Sequence, residues 1–225
     1  MLNTRAFLRQ LRALTPILIS LYIPIAILII GVGTLSARME SLNLRILFDN
    51  VTTIGSLPFY AGAISQLGIL LWCVAATVCW FAYYLLGVFK VPMNDSRRFL
   101  LFSAIFTTIL LFDDLFSFHK QVAPLYLGIP EALVQISLFA LGVLYIIVNN
   151  YEIQKSEYIL LLLALAFFIF WVGIDAVPNE WFASSYYLRK FETLVKDWNK
   201  FSAIITWTAF FVRYSFTQVA RLKAV

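Results

Sequence analysis

Charged side chains are scarce in this sequence. They make up 13% of it, about half of the roughly 25% usual in a soluble globular protein. The shortage leaves long uncharged tracts, and Asn50–Phe89 carries no charged residue at all. Extended hydrophilic segments are also missing. The longest are about 25 residues, too short to bury a core of their own. This leaves little room for a soluble domain beside the apolar segments. A single transmembrane domain over residues 1–225 is expected.

Cysteine and histidine are nearly absent. Cys73 and Cys79 lie in one apolar segment, about 9 Å apart along a helix, so no disulfide is expected between them. His119 is the single histidine. A zinc hydrolase or a paired haem ligand set therefore has little support. There is no phosphate-binding glycine loop, no nucleophile elbow, no paired metal motif and no internal repeat.

What is present is hydrophobic: 62% of 225 residues, with 17% aromatic. A transmembrane helix needs about 20 mostly apolar residues, and six segments qualify, near 15–35, 62–88, 99–118, 131–149, 158–177 and 201–220. The expected fold class is all-α, a polytopic integral membrane helical bundle. Arg5, Arg9 and Arg12 precede the first apolar run as in a signal peptide. That run exceeds the roughly 7–15 residues of an h-region, and Thr34–Ala37 is a poor cleavage site, so an uncleaved helix is expected. Pro16 and Pro24 imply a bend or a late start. Leu188, Phe191, Val195 and Trp198 recur at spacings of three and four, with charges between them. They predict an amphipathic interfacial helix running into the last span. Gly62, Gly68, Ala75 and Ala76 suit a close-packing second helix, and the aromatics suit interfacial belts and helix packing. Asn50-Val51-Thr52 is an N-glycosylation sequon.

Lysine and arginine set the orientation. With the N-terminus inside, ten of the seventeen fall on the inner side, which carries +7 against −2 outside. Hence N-in and C-in are expected, and the net charge of +5 implies an inner face suited to anionic lipid headgroups, not to nucleic acid.

Charges inside a span are costly and need a partner or a purpose. At about 1.5 Å per residue, Asp114 lies roughly 24 Å beyond Arg98, and Asp175 roughly 27 Å beyond Glu157, in a hydrocarbon core of about 30 Å. Glu131 and His119 reach the same outer layer. Helical phase puts Ser103, Thr107, Asp114 and Ser117 on one stripe of the third helix. It also aligns Glu131, Gln135, Gly142, Tyr145 and Asn149 on the fourth, and Asn199, Ser202, Thr206, Ala209 and Arg213 on the sixth. Polar stripes of this kind face other helices or a cavity. Asp113 lies about 100° from Asp114, so Asp114 ranks first as the inward carboxylate.

Two readings follow. In one, Asp114, His119, Glu131, Asp175 and Asp197 form an outer ligand site that binds a divalent cation, relays protons or holds a headgroup. In the other, Lys120, Lys196, Lys200 and Arg189 neutralise the acids as structural ion pairs. Arg213 snorkels to the inner surface or forms a salt bridge. The function expected first is a non-enzymatic subunit or assembly component that packs against other membrane proteins. The alternatives are a cation- or proton-coupled transporter and a lipid-headgroup-directed enzyme.

Overall fold

The structure, a computed structural model, describes residues 4–38, 62–175, 177 and 186–224. The sequon at Asn50 and the loop positions Pro178 and Trp181 lie outside these residues. The described residues are helical, with no strand among them. Helix α1 is Thr4–Arg38, α2 is Ala63–Val88 and α3 is Asp95–Leu115. A π-helix, Phe118–Leu127, follows. Then come α4, Glu131–Lys155, α5, Tyr158–Asp175, and α6, Tyr186–Ala220.

Local chemistry sets the boundaries. Asn94 caps α3, its side chain accepting the Arg97 N–H at 2.9 Å, one of the donors a helix start leaves unpaired. Pro130 precedes α4, where its missing N–H leaves no hydrogen bond unmade. Pro16 and Pro24 sit inside α1 without ending it. The helix begins well before residue 15, so the prolines do not mark a late start.

Among the described residues, helices α1, α2, α4 and α5 are long and apolar enough to cross a membrane, and α3 meets that test only together with the π-helix, from which it is bent by 72°. Multi-pass insertion is therefore compatible with the fold. Helix α6 falls outside that set because its polar side chains are numerous. Those polar groups are turned inward: Ser202, Thr206, Thr208, Ser215 and Gln218 are all buried.

Contacts divide the chain into two compact units, Met1–Gly68 with Ile159–Thr206, and Ile69–Tyr158 with Trp207–Val225. In the first unit, α1 runs antiparallel to the first half of α6. The Lys190 ammonium donates to the Ser36 carbonyl at 2.6 Å, a Cβ on Gly33 would lie 3.3 Å from Leu194, and Tyr22 shares a hydrogen bond with Thr206. Residue numbers rise on one helix as they fall on the other. The stretch expected as an interfacial helix is thus the first half of one 35-residue helix, packed along α1.

The second unit has an aromatic core. Phe99, Phe106, Tyr145, Trp207, Phe210, Phe211 and Tyr214 stack edge-on or face-on, with centroids such as Phe99–Tyr214 at 4.9 Å and Phe106–Tyr145 at 5.0 Å. Ala75, Ala76, Cys79 and Ala82 on α2 are buried, the small-residue face that lets helices approach closely. Cys73 and Cys79 are both free thiols.

Candidate functional site

The polar groups of the second unit follow the stripes of α3 and α4. Ser103 Oγ donates to the Phe99 carbonyl at 2.7 Å and shares a 2.7 Å bond with Tyr145 Oη. Trp207 Nε1 donates to Thr107 Oγ1 at 3.1 Å. Both Ser103 and Thr107 are fully buried. In an apolar surround each unpaired polar group is costly, so these bonds fix which helix faces meet.

One end of this stripe holds a carboxylate. Glu152 is 7% exposed, and its Oε1 accepts from Ser96 Oγ and Tyr214 Oη, both at 2.6 Å. These are short, charge-assisted distances. A second pair lies nearby in sequence. Arg213 donates through Nε and Nη2 to the two oxygens of Glu157 at 2.5 and 2.6 Å. This is the bidentate geometry that guanidinium offers carboxylate. Arg213 is therefore in a salt bridge, half-buried.

The other end of α3 is bent. Ser117 adopts a left-handed conformation, φ 49° and ψ 44°, costly for a residue with a Cβ. The chain then winds into the π-helix, unusually long for a geometry seen mostly as single turns. Asp113 ties the bend. Its Oδ1 accepts the His119 backbone N–H at 3.1 Å, and its Oδ2 meets His119 Nδ1 at 2.7 Å. A carboxylate at the start of a helix faces unpaired N–H groups, which stabilises both. His119 is 6% exposed, and its Nε2 has no hydrogen-bond partner among the described residues. Gly128 closes the π-helix at φ 65°.

The sequence ranks Asp114 above Asp113, whereas it is Asp113 that holds His119. The left-handed turn carries His119 back over the 113 side. Asp114 and Glu131 stand on neighbouring elements, and Glu131 accepts from the Gln135 amide at 3.1 Å. Asp175 forms an ion pair with Lys196 in the first unit. Asp197 lies one residue on in α6, half-buried. Among the described residues, no group of three His, Cys, Asp or Glu side chains is placed to hold a metal ion. Neither Glu152 nor Glu157 stands among the site residues expected from the sequence. The signal for Glu152 was present, since Tyr145 and Asn149 continue by three to 152, as Ser103 continues back by seven to Ser96.

Residues 21–214 match the family described as Domain of unknown function (DUF8692), and the chain belongs to that family. None of the curated proteins and none of the solved structures matches it.

Proposed function

We propose that this member of the family is a non-enzymatic membrane component, a small subunit or assembly factor. It crosses the bilayer six times with both termini inside. One observation carries the reading: charges in and beside the spans are engaged by neighbours in the same chain. Arg213 grips Glu157, Lys196 pairs with Asp175, Asp113 clamps His119, and two hydroxyls hold Glu152. Intramembrane charge arranged this way serves packing. The third and sixth spans are α3 and the second half of α6, whose buried polar side chains lower their apolar content. The inner face, rich in lysine and arginine, meets anionic lipid headgroups.

Helix α4 supports a protein partner. Only 11% of its span is buried within the chain, and Ile136, Phe139 and Ile147 are each more than 60% exposed. A photo-crosslinking residue at Phe139 or Ile147, activated in native membranes, distinguishes the possible occupants of this face. A discrete heavier adduct with one protein supports the subunit reading. Lipid adducts alone count against it.

A second reading rests on the free Nε2 of His119. An imidazole whose Nδ1 is held by a carboxylate can accept a proton at Nε2, the kind of group a proton- or cation-coupled transporter needs in its outer layer. A proton or cation flux in proteoliposomes that vanishes with His119→Ala would favour it over the subunit reading. A lipid-headgroup-directed enzyme would use the same layer and would show lipid turnover in that preparation.

A further inference from the structure

The seam between α1 and the first half of α6 contains an apolar groove of about 230 Å³, lined by Ala26, Ile29, Ile30, Leu194, Val195 and Trp198. It is smaller than the roughly 300–1,000 Å³ typical of drug-sized ligands and offers room for part of one acyl chain. The two helices approach closely at Gly33, where a Cβ would lie 3.3 Å from Leu194 Cδ2. Tyr22 joins them farther along through its hydrogen bond with Thr206.

A cation stands at one end of the groove. Lys190 Nζ donates to the Ser36 carbonyl at 2.6 Å and lies 4.6 Å from the Tyr186 ring centroid. It forms no ion pair among the described residues, and two of its three donors remain available. The charges along this part of α6 are Arg189, Lys190, Glu192, Lys196, Asp197 and Lys200, a net +2. Lys196 is already paired with Asp175, and Lys200 lies 5.6 Å from the Trp171 ring.

The spacing matches a lipid. Ser36 lies six or seven residues beyond Ile29 and Ile30, roughly 10 Å along α1. The headgroup layer adds roughly 5–8 Å to each face of the hydrocarbon core. A phosphate at Lys190 therefore sets its acyl chains beside residues 26–30. We propose that this seam is a binding site for one anionic phospholipid, an acyl chain in the groove and its phosphate on Lys190.

The test is native mass spectrometry of the full chain released from vesicles of phosphatidylcholine mixed with phosphatidylglycerol. The wild type should retain one phosphatidylglycerol in preference to phosphatidylcholine. Lys190→Gln should lower that preference about fivefold, the factor expected for one basic residue at the headgroup layer, and Lys190→Arg should restore it. Ala26→Phe should release the bound lipid by filling the groove. Equal retention of both lipids by the wild type, or a preference that survives Lys190→Gln, overturns the proposal. The Lys190 pair decides the matter even if Ala26→Phe fails to fold.

Discussion

Removing the Tyr214 hydroxyl should destabilise the fold through Glu152. In Tyr214→Phe the ring remains in the aromatic cluster, 4.9 Å from Phe99, so only the 2.6 Å bond to Oε1 is lost. Bonds to charged groups contribute about 1.5–3 kcal/mol in soluble proteins. Interhelical bonds in bilayers average about 0.6 and reach about 1.7 kcal/mol. The two ranges meet near 1.5 kcal/mol, the cost expected here because the acceptor is a buried carboxylate. Ser96→Ala should cost about 0.5–1 kcal/mol, since Ser96 is less buried and water can replace it. The double variant strips both hydroxyls from one oxygen, and its loss should exceed the sum by about 1 kcal/mol. The assay is SDS-induced unfolding in mixed micelles, followed by tryptophan fluorescence. A Tyr214→Phe cost below about 0.5 kcal/mol, or a strictly additive double variant, would refute the claim that Glu152 depends on these donors.

Other positions give sharper contrasts. A Cβ on Gly87 would lie 2.5 Å from Arg97 Nη2, so Gly87→Ala should push the guanidinium off the Val91 carbonyl and the Tyr83 ring. This should cost about 1 kcal/mol, and the loss should shrink in an Arg97→Gln background. Tyr145→Phe should cost less than about 1 kcal/mol because Ser103 keeps its bond to the Phe99 carbonyl, whereas Trp207→Phe orphans Thr107 and should cost more; the same SDS titration ranks them. Asp113→Ala removes both acceptors of His119 and should cost about 2 kcal/mol, with Asp113→Asn milder, read as thermal stability in detergent.

Much of the fold was legible because long apolar helices announce themselves by length and by polar stripes. Ser103 and Thr107, Tyr145 and Asn149, and Ser202 and Thr206 are all buried, as their spacing predicts. The Asp175–Lys196 pair follows from matching charges at one depth. The Asp113–His119 clamp was not legible. It depends on a left-handed serine and a π-helix, and a wheel drawn at 3.6 residues per turn anticipates neither. The amphipathic pattern of residues 188–198 does signal a helix, but it does not say whether the apolar side meets headgroups or another helix. Val195 and Trp198 line the groove against α1, while Leu188 and Phe191 remain exposed.

The most direct test of the subunit reading is purification of the tagged chain in gentle detergent, with mass spectrometry of bound proteins, lipids and metals. The account predicts a stoichiometric protein partner, retained unchanged by Asp114→Asn. A chain without a partner, holding a divalent ion or a lipid that Asp114→Asn releases, would contradict it and assign the outer acids to chemistry.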